Sequence, residues 1–249
     1  MLVIRFYALL LFLAAGILAA DVRTQPHGTR LLFTGDILLS RHVAEELQHR
    51  RISPWTPFAQ LFNDSQWVSG NLEGALGSPS ACIESARPCF ATPDSAAQLL
   101  KMAGFHALTL ENNHAGDLGS AGRERTRKLL QEESLAAIDF ENSPFVVQVG
   151  DAKIALISIT IHCGHEYQKL VDAPQREQAH WLIQQGADLI VGHHPHVVQL
   201  PECIEGHPVF FSLGNHVFDQ TYPSTKEGMI ADCRLTGERL SCQEIRTHS

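Results

Sequence analysis

Residues 188–196 read Asp-Leu-Ile-Val-Gly-His-His-Pro-His, and this stretch decides the fold. The short apolar run from Asp188 to Val191 reads as a buried strand, which breaks at Gly192 into three imidazoles within four residues. Packing gains little from so many imidazoles in one place, whereas histidine is the commonest metal ligand. The same punctuation recurs along the chain. Leu31–Thr34 ends at Gly35-Asp36, Trp67–Ser69 at Gly70-Asn71-Leu72-Glu73, and Phe105–Leu110 at Asn112-Asn113-His114. Lys153–Thr160 runs into Ile161-His162, and Val209–Ser212 leads to Gly214-Asn215-His216. Helical patterns fall between these strands at 41–50, at 120–133 and at 174–185. A further helix, capped by Pro93-Asp94-Ser95, runs through Ala103 and stops at Gly104. Hairpins are expected at 145–160, through Gly150-Asp151, and at 228–246. The alternation predicts an α/β fold. Ligands in such sheets bind outside the carboxyl ends of the strands, so segments far apart in sequence can meet there.

The chain has 249 residues, of which 44% are hydrophobic and 18% charged, which excludes a disordered or coiled-coil protein and suits one large domain. A formal net charge of −8 argues against a nucleic-acid partner, whose binding surface would be basic. Residues 1–20 carry an early Arg5 and an apolar run from Phe6 to Ala20, as in a secretory signal. That run is short for a membrane span, which needs roughly 20 apolar residues. Cleaved signal, uncleaved N-terminal anchor and buried core helix all remain open. Residues 21–30 form a polar linker and 31–249 the domain; either of the first two readings makes it extracytoplasmic, periplasmic or secreted. Six cysteines agree with an oxidising compartment. Cys82 with Cys89 and Cys233 with Cys242 are attractive local pairs, leaving Cys163 and Cys203 to pair or stay free; six reduced, buried thiols are the alternative.

The strand-end residues suit a metal site. Two divalent cations about 3.5–4 Å apart need an anionic bridge and two coordination shells. Carboxylates can bridge, neutral imidazoles suit transition metals, and an Asn carbonyl fills a remaining position. Asp36, Glu73, Asn113, His162, His194 and His196 supply those ligands, and His114 is left over to protonate a leaving oxygen near neutral pH. Asn71, Asp117, Glu166, His193, Asn215 and His216 are expected behind the ligands or against substrate. Helix capping is the plainer reading of Asn113, His114 and Asp117, and packing that of Glu166 and Tyr167. His27, His180, His207 and His248 read as surface residues.

At these blocks, together with Asp117-x-Gly119, His162-Cys-Gly-His-Glu166-Tyr167, Pro195-His-Val-Val-Gln199 and Phe218-Asp219, the sequence resembles the CapA family. These proteins serve capsule and poly-γ-glutamate synthesis and are related to the calcineurin-like metallophosphatases. The resemblance covers roughly residues 31–232. It implies a four-layer α/β/β/α sandwich with a metal site of one or two divalent ions (Mn, Fe or Zn) at the strand ends. Transferred residue by residue, Asp36 ligates the first metal and Glu73 bridges. Asn113, His162 and His194 hold the second metal, His196 returns to the first, and His114 is the acid. Leu38 stands where the wider pattern has a His, so the first metal lacks a ligand unless His42, Asn71 or water replaces it. Cys163 stands in place of the usual Trp and His216 in place of the usual Phe, and the stretch before His162 is shortened. The implied function is an exported phosphatase-fold protein of surface-polymer synthesis, acting on a phosphorylated or polyanionic substrate beside a membrane polymer synthase. The alternatives are a non-catalytic scaffold of the same fold and a general extracytoplasmic phosphodiesterase.

Overall fold

The computed structural model describes residues 2–6, 28–50, 53–83, 88–150, 152–158 and 164–248. Two sheets carry the architecture. The larger orders its strands Arg239–His248, Glu227–Thr236, Thr29–Ile37, Trp67–Leu72, Ala107–Thr109 and Ala136–Ile138, with Asn215–Val217 added beside the end of Thr29–Ile37. Pairing is parallel from Thr29–Ile37 to Ala136–Ile138, as strand–helix alternation requires, and antiparallel at the closing hairpin. The second sheet runs Glu202–Ile204, His207–Phe210, Leu189–Val191, Leu2–Phe6, Ala152–Ser158 and Phe145–Val149. Leu2–Phe6, which the sequence assigns to the leader, pairs antiparallel with both of its neighbours. The rest of the apolar run and most of the linker lie outside the described residues, as do His27, His162 and Cys163. No helix among the described residues is long and apolar enough to cross a membrane.

Alternation along the strands decides what each face buries. Leu31 and Phe33 point into a core shared with Ile154, Leu156, Leu189, Val191 and Phe210 of the other sheet. Leu32, between them, faces the opposite way and packs with Val68, Leu100 and Leu130, the last two from the helices Ala96–Ala103 and Gly119–Glu132. On the second sheet, Ile190 and Val209 are covered by Ala179, Leu182 and Ile183 of the helix Ala173–Gln184. Each sheet therefore meets the other on one face and helices on its opposite face. Every fully buried Leu, Ile or Phe contributes about 1.5–3 kcal/mol of transfer free energy to this arrangement. The helix Ala173–Gln184 starts at a reciprocal cap: the Asp172 carboxylate accepts from Gln175 N, and the Gln175 side chain accepts from Asp172 N. Both local disulfides form, Cys82–Cys89 and Cys233–Cys242, while Cys203 is an exposed thiol.

Candidate metal centre

Two strands of the larger sheet and one of the second deliver the site, and glycine allows the delivery. The carboxyl ends of Thr29–Ile37 and Leu189–Val191 both press on residues 210–214. A Cβ on Gly35 would lie 2.0 Å from the Gly214 carbonyl oxygen, and one on Gly192 would lie 2.1 Å from that of Phe211. No side chain fits at either place, so backbone meets backbone: Asp36 N donates to Gly214 O at 2.9 Å and Gly192 N to Phe210 O at 2.6 Å. Pairing with the neighbouring strand shifts register between Phe33 and Asp36, an irregularity at Thr34 and Gly35 after which Asp36 pairs with Asn71. The outcome is a buried cluster of Asp36, Glu73 and His196, with one ligand atom from each lying within 4.8 Å of the others.

Neighbouring amides hold these three in place. Asn71 Nδ2 donates to Asp36 Oδ1 at 2.8 Å, and its carbonyl accepts from Asn112 Nδ2 at 3.1 Å. His196 Nδ1 lies 3.0 Å from Asn215 Oδ1, and the Asn215 amide donates to Gln220 and to the Thr225 carbonyl. With Nδ1 engaged there, His196 turns Nε2 toward Glu73 Oε1, 3.5 Å away. His114 Nδ1 meets Asp117 Oδ2 at 2.9 Å, and its ring stacks on Phe90 with centres 3.8 Å apart. Of six non-glycine residues with positive φ among those described, Arg41, Tyr167, His194 and His196 lie in the site segments. Left-handed backbone of this kind costs roughly 1–3 kcal/mol and concentrates where function over-determines geometry.

The electrostatics ask for a cation. Burial alone would raise the Asp36 carboxyl, but the imidazoles of His193 and His196 beside it hold it well below the usual carboxylate range. Burial, and then the charge of Asp36, push Glu73 up to about 8. For His196 burial works downward, yet Asp36 and Glu73 hold the imidazole up at about 9. Glu73 Oε1 is buried and has no hydrogen-bond partner. An orphaned carboxylate oxygen beside a second carboxylate and an imidazole is a donor set that a divalent transition metal fits. A bound cation would reverse the upward shift of Glu73.

The structure brings together some of the expected residues and not others. Asp36, Glu73 and His196 form the cluster. His193 Nδ1 approaches Asp36 Oδ1 at 3.1 Å. His194 directs its backbone N toward Asp36 at 3.4 Å, and its ring centre lies 6.2 Å from that of His196, outside the trio. Asn113 is exposed, whereas Asn112 makes the buried contacts to Asn71 and Leu72. His42, a candidate to replace the histidine absent at the buried Leu38, is exposed and pairs with Glu45 at 3.4 Å. Glu166 is exposed, with its charge felt by Glu73. His216 is buried against Phe58 and Phe62 with both ring nitrogens unbonded, and burial pushes it down to about 3. Sequence reasoning missed Phe90 and Arg41. The Arg41 guanidinium sits 4.5 Å over the Phe90 ring and pairs with Asp219.

Fold and cluster together define an α/β protein with a candidate divalent-metal centre at the strand ends. The chain belongs to the family described as bacterial capsule synthesis protein PGA_cap, whose model matches residues 30–161 and 140–220. It is 25% identical to the PGA biosynthesis protein CapA of Bacillus subtilis, over 82% of this chain and 67% of that protein. It is 27% identical to the capsule biosynthesis protein CapA of Bacillus anthracis, over 82% of this chain and 63% of that one. The chain therefore spans about two thirds of the length of these relatives. Among solved structures, vacuolar protein sorting 29 of Cryptosporidium parvum is similar at a TM-score of 0.38 and 16% identity, covering 90% of this chain and all of that one. Zinc-bound Vps29 of Entamoeba histolytica is similar at a TM-score of 0.31 and 16% identity, over 70% of this chain and 96% of that one.

Proposed function

We propose that this chain is an exported CapA-like protein of surface-polymer synthesis whose Asp36–Glu73–His196 centre holds a divalent cation and hydrolyses a phosphoester. The observation that carries the reading is Glu73, a buried carboxylate with an unbonded oxygen held beside Asp36 and His196. Support for export comes from the two disulfides, which persist in oxidising compartments, while Leu2–Phe6 of the leader-like segment pairs within the second sheet. A bound metal would supply Lewis-acid activation of water and neutralise charge at a phosphoryl group. The chain's own residues do the rest. Asn71 and Asn215 fix the rotamers of Asp36 and His196, as partners behind metal ligands do. His114, with Nδ1 held by Asp117, has Nε2 left to give a proton to the leaving oxygen. Arg41 adds positive charge on the Phe90 side of the site, which suits a phosphorylated or polyanionic substrate.

The absence of histidine at Leu38 and the exposure of Asn113 favour a second reading. In it the domain is a scaffold beside a membrane polymer synthase, holding a single ion without turnover. Metal content measured alongside turnover of bis(p-nitrophenyl) phosphate separates the two. Bound metal with turnover that His114→Ala abolishes while retaining the metal supports the hydrolase. Bound metal without turnover supports the scaffold, and no metal under any loading condition overturns both.

A further inference from the structure

The disulfide Cys82–Cys89 lies against the candidate acid rather than against the metal ligands. Its two ends grip one residue, Asp117. Ile83, next to Cys82, donates its backbone N–H to the Asp117 carbonyl at 3.0 Å. Cys89 Sγ lies 3.9 Å from that same oxygen. Phe90, next to Cys89, donates its backbone N–H to Asp117 Oδ2 at 2.6 Å. Asp117 Oδ2 is also the atom that meets His114 Nδ1, at 2.9 Å. The Phe90 ring then covers the face of the His114 imidazole at 3.8 Å, 23° from parallel. Both sulfurs pack on a small apolar cluster of Ala75, Ala91 and Leu118, the last adjoining Asp117. The imidazole is thus set in plane by Phe90 and in rotation by Asp117, and each of those is set by a residue bonded to a half-cystine.

We propose that the Cys82–Cys89 disulfide is a positioning element for His114, so that the proton-donor arm of the site is assembled only in the oxidised chain. The proposal rests on the reading of His114 as the acid. In the oxidised chain Nδ1–H donates to Asp117, and the protonated ring keeps a second N–H at Nε2 to pass to the leaving oxygen, returning to the neutral Nδ1–H tautomer. Reduction by a dithiol breaks the S–S bond and forms two thiols. The dithiol gives up two electrons and two protons and closes to its own cyclic disulfide. Cys82 and Cys89 then separate, Ile83 and Phe90 lose their fixed spacing, and Asp117 is held from one side at most. Asp36, Glu73 and His196 take no hydrogen bond from this clamp, whose tie toward the ligands is Phe90 O accepting from Ala75 N at 3.0 Å, so bound metal should be retained. A catalytic group displaced by about 1 Å loses on the order of 100-fold in rate.

The test uses the full chain labelled with [15N]histidine, manganese for the metal measurement, and zinc, which is diamagnetic, for NMR. In Cys82→Ser/Cys89→Ser, and separately in wild type with Cys82–Cys89 reduced by dithiothreitol and checked by mass, the His114 ring-nitrogen shifts should move toward the Nε2–H tautomer. Turnover of bis(p-nitrophenyl) phosphate should drop at least 10-fold in kcat, with KM and bound manganese unchanged. Asp117→Asn should give the same spectroscopic change, whereas Cys233→Ala/Cys242→Ala, at the distant hairpin, should leave His114 unmoved. Unaltered His114 shifts in the reduced and serine forms overturn the proposal, as does an equal change in the hairpin control. A moved imidazole with no turnover in any form upholds the clamp and overturns the hydrolase reading instead.

Discussion

Replacing Glu73 by Gln should make the metal-free protein more stable at alkaline pH while abolishing its response to metal. Glu73 is raised from 4.5 to about 8 by burial and then by the charge of Asp36. Between those two values the folded protein binds a proton that the unfolded chain has released, so stability falls as pH rises through the window. Each pH unit costs about 1.4 kcal/mol, giving roughly 5 kcal/mol across the whole interval. His196, raised from 6.5 to about 9, acts in the same direction and carries the loss on toward pH 9. Asp36, held low, titrates below this range. The isosteric amide removes the Glu73 contribution. Glu73→Gln without metal should therefore exceed wild type by about 1–3 kcal/mol at pH 8 and show a shallower pH slope. Urea midpoints from pH 5 to 9, in chelator and in manganese, read this directly. Manganese should raise and flatten the wild-type curve and leave the variant where it is. A metal-free wild type whose stability is level or rising from pH 5 to 8, or a Gln variant less stable than wild type at pH 8, would refute the reasoning.

Three further substitutions test the supports of the site. His216→Phe exchanges a buried imidazole with two unbonded nitrogens for a ring that suits Phe58 and Phe62, and should raise stability by about 1–2 kcal/mol with metal affinity unchanged, read by denaturant midpoint and calorimetry. Asn215→Ala removes the group 3.0 Å from His196 Nδ1 and should weaken manganese binding by roughly 10- to 100-fold in a fold that circular dichroism shows intact. Gly35→Ala forces the Gly214 carbonyl away from a Cβ that would lie 2.0 Å from it; stability should fall by about 1–3 kcal/mol, together with manganese affinity, because Asp36 moves with the strand.

Much of the fold was legible because its strands are short apolar runs that end at glycine or asparagine and alternate with helices. The strand Leu189–Val191 and its imidazoles, the hairpin at 145–158 and the helix Arg41–Arg50 all fall where the pattern puts them. Ala136–Ile138 was not visible, because Ala-Ala-Ile directly after a helix has neither alternation nor a turn signal before it. Within the site, charge and burial were readable at Asp36, at the end of a strand, and at Glu73 and His196, in the loops that follow strands. Rotamers were not. Asn112 and Asn113 are the same residue type side by side, and only the backbone path after Ala107–Thr109 turns Asn112 inward and Asn113 out. His216 carries an imidazole that sequence reads as chemistry, yet the phenyl rings of Phe58 and Phe62 around it make it a packing residue. Phe90 and the clamp on Asp117 depend on contacts spanning 27 residues of chain, for which no local spacing exists.

Anomalous diffraction at the metal edge, from crystals grown with manganese or zinc, is the most direct test of whether two sheets meet to hold a cation. A peak about 2.0–2.3 Å from a carboxylate oxygen of Asp36, one of Glu73 and Nε2 of His196 is predicted, and it should vanish in Glu73→Gln. A peak bound elsewhere, or none at saturating metal while these three side chains keep their positions, would contradict it.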